Sequence, residues 1–229
     1  MHEPTFLSDP DLRESTVVRR LFEAIGTRAD ARIVAGLARR LEGGQFRSRT
    51  LRRLLWSRYE VKAHAFSYGA FHQPGACEPG VTLGRFASVA REVRWGLSHP
   101  MDHVSLSHVF ADPQNGFIER WPFERPTLEI GPDAWIGALV VITSNCRRIG
   151  LGAVVGAGSV VTRDVPDFAI AVGSPAQVIR YRFPKAVQET VRHSRWWERP
   201  LDELRRARGA FTGPVGAPET LRILSRLEG

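Results

Sequence analysis

Between Ile130 and Pro166 one pattern repeats: an aliphatic residue every six positions, with a small or compact residue four after it. Ile130, Ile136, Ile142, Ile149, Val155 and Val161 hold the aliphatic place, and Ala134, Val140, Cys146, Ala153, Ser159 and Val165 hold the second. Glycine follows the aliphatic residue at Gly131, Gly137, Gly150 and Gly156. A period of six is neither that of an α-helix nor the alternation of a strand, and it is a signature of a parallel β-helix. Each hexad is one short strand and a turn. Its aliphatic side chain fills the coil, and the compact one sits at a crowded corner.

The register returns upstream, with Cys77, Leu83 and Val89 in the aliphatic place and Val81, Ala87 and Val93 four residues on. Between Val93 and Ile130 it stops, so a segment of roughly thirty residues must leave the coil, and excursions of that length in a repeat domain are usually functional. Between Cys146 and Ile149 stand two residues, Arg147 and Arg148, where one is normal, which predicts a one-residue bulge of no functional weight.

At 229 residues the chain fits one main domain with appendages. Residues 1–60 are expected to be a basic helical arm, 61–180 the β-helix with an excursion over 95–127, and 181–229 a helical C-terminal segment. No apolar run approaches membrane-spanning length, and the polar, acidic start MHEPTFLSDPDLRE argues against a secretory leader. Cys77 and Cys146 fall on coil-interior places, so they read as buried thiols in a reducing cytoplasm rather than a disulfide.

The charge is concentrated. Residues 13–58 hold twelve arginines against four acids, Glu14, Glu23, Asp30 and Glu42, an excess equal to the net charge of the whole chain, +8. Three amphipathic helices are expected there. Val18, Leu21, Phe22 and Ile25 share one face; Ile33, Val34, Leu37 and Leu41 share the next, stopped by Gly43-Gly44; Leu51, Leu54 and Leu55 with Trp56 form the third. The arm reads as a cap on the open end of the coil with solvated arginines; the competing reading is a docking surface for an anionic glycan or the inner membrane face. No nucleic-acid module accompanies the charge. Downstream, Phe183-Pro184 opens a helical stretch to His193, and Trp196-Trp197 are expected to seal helices onto the coil or a neighbouring subunit.

The run IGPDAWIGALVVITSNCRRIGLGAVVGAGSVVTRDVPDFAIAVGSPAQVIR resembles the coils of hexapeptide-repeat acyltransferases, which are left-handed parallel β-helices. LGRFASVAREVRWGLSHPMDHVSLSHVF, with RFPKAVQ and RWWERPLDEL beyond, is similar to the xenobiotic acetyltransferase branch, which includes chloramphenicol and streptogramin acetyltransferases and enzymes that O-acetylate sugars and polysaccharides. The resemblance implies a mainly β fold, a homotrimer with sites between subunits, and acetyl-CoA as acyl donor. It also implies His99, in Leu97-Ser98-His99-Pro100, as catalytic base. Carried over position by position, Ala138 and Ala157 would line the cofactor groove, Thr162 and Arg163 would lie near the phosphates, and Arg180 on the adenosine side. Arg163 stands where lysine is commoner, and Asn145-Cys146-Arg147 departs from the turn usual in relatives.

The residues suit that chemistry on their own terms. Transfer from a thioester to an alcohol needs a base and donors for the oxyanion. No GxSxG elbow is present and both cysteines read as buried, so direct transfer is simpler than an acyl-enzyme. The excursion carries His99, His103 and His108, with Asp102, Ser105 and His108 as candidate acceptor contacts. No metal is expected. A γ-class carbonic anhydrase would need histidines on the coils, and the hexads recognised above have none. A non-catalytic scaffold, a drug O-acetyltransferase and an amino-sugar N-acetyltransferase are also compatible with these residues. The basic arm tilts the reading to a sugar or polysaccharide O-acetyltransferase in the cytoplasm or peripheral at the inner membrane face.

Overall fold

In the computed structural model, which describes residues 4–24, 31–96, 103–110, 112–119, 126–215 and 217–227, the hexads become very short strands. Strands β1 (Lys62–Ala63), β3 (Val81–Leu83), β6 (Leu128–Ile130) and β9 (Arg148–Ile149) form one parallel sheet. In a second, β2 (Tyr68–Gly69), β4 (Ser88–Val89), β7 (Trp135–Ile136), β10 (Val154–Val155) and β12 (Ala169–Gly173) run parallel, and β13 (Ala176–Tyr181) closes the edge antiparallel. The third holds β5 (Arg94–Trp95), β8 (Val141–Ile142) and β11 (Val160–Val161). The chain visits the three in turn, so each circuit stacks on the one before.

Register makes the aliphatic place a ladder. Leu83, Ile130 and Ile149 are paired partners, as are Val89, Ile136 and Val155, and Trp95, Ile142 and Val161. All nine are buried. Two members escaped the sequence pattern. Trp95 fills an aliphatic place with an indole, and Ala63, paired with Leu83, begins a circuit before the first recognised hexad. Cys77, by contrast, lies on a bend outside the strands, half-buried against the core.

The glycines after the ladder residues answer to space. A Cβ on Gly131 would lie 2.7 Å from the Leu151 backbone nitrogen, and one on Gly150 2.4 Å from that of Asp167, although neither has a positive φ. The third residue after the ladder position is left-handed instead: Phe66, Phe86, Glu92, Asp133, Leu139 and Phe168 have φ of 62°, 64°, 60°, 55°, 60° and 58°. Each costs about 1–2 kcal/mol relative to a right-handed conformation, which stacking with the next circuit must offset.

The bulge is held by one carboxylate: Asp164 Oδ1 accepts from the backbone nitrogens of Arg147 at 2.6 Å and Arg148 at 2.9 Å. The excursion departs after Gly96, whose N–H donates to Ile142 O, and returns at Leu128, whose N–H donates to Gly80 O.

Helices α1 (Thr16–Ala24), α2 (Ala31–Leu41), α3 (Gly44–Arg47) and α4 (Arg49–Tyr59) cover the first circuit. Val18, Val34, Ala35, Ala38, Leu51, Leu54 and Leu55 share one core with the ladder. Two expectations are corrected. The face of α2 that turns inward is Val34, Ala35 and Ala38, while Ile33, Leu37 and Leu41 are 59%, 37% and 55% exposed; the small residues let α2 approach α4 closely, and the large ones are left outside. The arginines are not all solvated either. Arg52 is fully buried and donates to the carbonyls of Gln45, Phe46, Ser48, His64 and Ser67. Burial lowers its pKa to about 9. Glu42, also fully buried, accepts from Ser15 N, Ser48 Oγ, Thr50 N and Thr50 Oγ1.

At the far end α5 (Lys185–Ser194), α6 (Leu201–Arg206), α7 (Gly209–Thr212) and α8 (Pro218–Ser225) build a second core with Leu151 and Phe168. Trp196 bridges the two parts, its ring 5.0 Å from that of Phe86 on the coil and 5.1 Å from that of Phe211.

Gly131→Ala should destabilise the protein by about 1–3 kcal/mol, because the added methyl meets backbone that cannot move aside. Gly36→Ala on α2, where a Cβ meets nothing within 4 Å, should not; thermal melts of the two variants make the comparison.

Candidate functional site

The outer faces of the coil differ in chemistry. The first sheet presents Lys62, Thr82, Glu129 and Arg148 in register, a polar face. The second presents Tyr68, Ser88, Trp135, Val154 and Ile170, and the third Arg94, Val141 and Val160. Trp135 is 54% exposed, and Leu139, at the corner between these two sheets, 59%. A Trp, a Leu and a Val standing open on adjoining faces form an apolar surface that water solvates poorly.

The described part of the excursion is apolar too. Val104, Leu106, Val109, Phe110 and Phe117 are all exposed, with the Phe110 and Phe117 rings 4.9 Å apart. Ser105 Oγ accepts from Ser107 N at 3.2 Å. His108 opens a 3-10 turn, His108–Phe110. His99 and Asp102 lie outside the described residues.

Two columns of stacked corner residues flank the third sheet. On one, Ala138 and Ala157 occupy equivalent places in successive circuits, and Gly158 N–H donates to Ala138 O at 2.8 Å. On the other, Gly96, Thr143 and Thr162 follow β5, β8 and β11, with Thr143 N–H donating to Val161 O at 2.9 Å. The excursion therefore leaves from the column that carries Thr162 and, one residue on, Arg163. Arg163 Nη2 donates to Gln177 Oε1 of β13 at 2.8 Å. Arg180 is exposed further along β13, opposite Ile170, about 10 Å from that contact at some 3.3 Å per residue. The structure thus groups Ala138 with Ala157, and Thr162 with Arg163, while Arg180 stands apart on the edge strand.

Trp95 Nε1 and Thr143 Oγ1, at the excursion's exit, are buried polar atoms without a partner. Each such atom costs about 1–3 kcal/mol, so this corner is one place where the coil leaves hydrogen bonds unmade, Arg85 Nε being another. Neither residue stands out in the sequence, where an indole and a hydroxyl among aliphatics look like drift. Both thiols are poor nucleophiles: burial, with the charge of Glu78, pushes Cys77 up to about 12, and burial, with the charge of Asp164, pushes Cys146 up to about 11. Among the described residues no cluster of His, Cys, Asp or Glu could hold a metal.

Cavities of about 450, 350 and 250 Å³ lie elsewhere: between Trp56 and the first sheet, among the C-terminal helices beside Phe168, and between His64 and Trp197. None includes a candidate site residue.

No family model matches the chain. A probable macrolide acetyltransferase from Lysinibacillus sphaericus is 30% identical over 152 residues, which is 63% of this chain and 83% of that protein. That overlap decides the family, which the coil and its excursion already suggest. The chain belongs to the hexapeptide-repeat acyltransferases, in the xenobiotic acetyltransferase branch. Within that branch, chloramphenicol acetyltransferase from Morganella morganii is 42% identical over 113 residues, 49% of this chain and 51% of the relative. Galactoside O-acetyltransferase from Escherichia coli K12 is 36% identical over 101 residues, 44% and 43% of the two chains. The chain thus spans about half the length of the chloramphenicol acetyltransferase relatives it matches.

The described histidines make one test of the scaffold itself. His72 is fully buried, its Nε2 3.2 Å from Ser67 Oγ, and burial, then the charges of Arg52 and Arg39, hold its pKa well below the ordinary value of 6.5. Burial lowers that of half-buried His64 as well. Below about pH 6.5 the unfolded chain takes up protons that the folded one refuses, so folding stability should fall with pH, by up to about 1.4 kcal/mol per unit for each such histidine. His72→Gln should flatten the acid limb of a melting-temperature profile; an unchanged slope would show that His72 titrates freely in the fold.

Proposed function

We propose that the protein is an acetyl-CoA-dependent O-acetyltransferase, a left-handed β-helix working as a homotrimer, with a hydroxyl of a sugar or polysaccharide as acceptor. What carries the reading is the shared corner column: the excursion that bears His99 leaves the coil beside Thr143 and in line with Thr162 and Arg163. The point of departure, Gly96, and the donor-binding candidates Thr162 and Arg163 then share one edge of the coil. The residues suit an acyl-CoA. Ala138 and Ala157 keep their corner shallow, and Arg163 and Arg180 are exposed guanidinia able to meet phosphates.

Bound acetyl-CoA supplies the activated acetyl thioester. His99 takes the proton from the acceptor hydroxyl as its oxygen forms the new C–O bond, and returns that proton to the sulfur as the C–S bond breaks, leaving an ester and free CoA thiol. Direct transfer agrees with two thiols held protonated by burial. Asp102, Ser105 and His108, on the same excursion as His99, are the candidate acceptor contacts.

The trimer is supported by what the single chain leaves uncovered. The second and third coil faces, and the excursion with its exposed Val104, Leu106 and Phe117, need a partner surface, while the polar first face does not. A cleft shared between copies would be completed by residues that the single chain does not supply. Light scattering should give three times the chain mass of 25.6 kDa; a monomer at micromolar concentration would sink the shared-site reading.

A drug hydroxyl is the second acceptor class, favoured by the 42% identity to a chloramphenicol acetyltransferase. Thiol release from acetyl-CoA, followed with chloramphenicol, a macrolide and simple glycosides, separates the two. With the accepted substrate, His99→Ala should lower kcat by about 10²–10⁴ and leave KM for acetyl-CoA nearly unchanged. Arg163→Ala should do the reverse, raising that KM through loss of a contact worth about 1.5–3 kcal/mol. If His103→Ala abolishes turnover and His99→Ala does not, the base is misassigned.

A further inference from the structure

The outer face of α2 is built in a way that capping does not require. Ile33, Leu37 and Leu41 fall at spacings of four and form one line on the helix, about 12 Å long at 1.5 Å per residue. All three are exposed, against the buried Val34, Ala35 and Ala38 of the inner face. Beside the line stand Arg32 and Arg40, both exposed, and α2 contains no acid. The third arginine of the helix, Arg39, is tethered inward and donates to His72 O at 2.9 Å. The described acids between residues 13 and 58 are also engaged: Glu14 pairs with Arg53, Glu23 faces Arg19 at 3.8 Å, and Glu42 is buried; Asp9 and Asp11 pair with Arg85. Outward, α2 therefore offers aliphatic side chains and positive charge together.

We propose that this face is a docking surface for an anionic phospholipid bilayer. Each half of the surface needs a different part of the partner. The guanidinia meet lipid phosphates, and the aliphatic line enters the boundary between headgroups and acyl chains. A nucleic acid or a charged glycan answers the arginines and offers nothing comparable to Ile33, Leu37 and Leu41. A second copy answers the aliphatic line, yet apposes arginine to arginine. Three side chains per helix make a weak, reversible contact, and copies on a common side of a trimer would strengthen it by avidity. That last point alone rests on the trimer proposed above; the docking surface does not depend on acetyl transfer.

The test uses the full chain with sucrose-loaded phosphatidylcholine vesicles, with and without phosphatidylglycerol. Cosedimentation is expected only with phosphatidylglycerol and should weaken at high salt. The double variants Ile33→Asp/Leu37→Asp and Arg32→Gln/Arg40→Gln should each reduce it on the order of tenfold or more. Because all four side chains are exposed, melting temperature and turnover of a soluble acceptor should stay near those of the parent protein. The proposal is overturned if the parent protein fails to sediment with anionic vesicles. It is also overturned if the aspartate variant sediments undiminished, which would make the contact charge alone. A change of mass in light scattering without vesicle binding would reassign the line to contact between copies.

Discussion

Every local choice in the coil follows from stacking one circuit on the next at the spacing of neighbouring strands, about 4.8 Å. At that distance a corner has no room for a side chain pointing along the axis, which is why a methyl on Gly131 or Gly150 would strike backbone nitrogen. The same spacing brings Leu83, Ile130 and Ile149 into one column and makes the interior a ladder rather than a mixed core. Turning sharply enough to close a circuit of two-residue strands puts one residue into the left-handed region at most of the corners after the first and second sheets, even when it is Phe86 or Leu139. The scaffold accepts that strain because hydrogen bonds between circuits hold both sides of each corner.

A stack of this kind is open at both ends, and an uncovered end is an edge onto which another chain can pair. The two closures differ. At the start, the helical arm extends the ladder's own core and carries a buried carboxylate and a buried guanidinium that do not meet. Glu42 is satisfied by hydroxyls and amides, and Arg52 by five carbonyls. Each locks the path of neighbouring backbone, so the arm is fixed by polar contacts as much as by its leucines. At the far end the antiparallel β13 covers the edge of one sheet, and a separate small core with Trp196 leans on the coil at Phe86.

The repeat was legible because one residue class recurred at one spacing, and it stopped being legible where a place was kept but the class changed. Trp95 continues the ladder as an aromatic, and Ala63 begins it as a residue too small to register. The left-handed corners could not be read at all, since Asp133 and Leu139 carry no glycine signal. In α2 the strongest apolar line pointed the wrong way. A helical wheel ranks residues by hydrophobicity, but packing against α4 selected Val34, Ala35 and Ala38 by size. Of the candidate residues, Ala138 and Ala157 fall into one column only through the fold, whereas Thr162 and Arg163 are neighbours in the chain. The sequence had no means of finding the unpaired Trp95 Nε1 and Thr143 Oγ1, which exist only once the circuits are stacked.

The excursion leaves after Gly96 and rejoins at Leu128, and the strands on either side pair as though nothing intervened: Trp95 with Ile142, Leu83 with Ile130. Its ends are held by the coil whatever lies between them, and the entropy of closing a loop grows only with the logarithm of its length. Substitutions, insertions and deletions within it are therefore nearly uncoupled from folding. Selection can rewrite the segment that bears the acceptor-facing candidates while the scaffold stays as it is, which makes this the part of the molecule in which one lineage can change its chemistry of recognition without having to evolve a new fold.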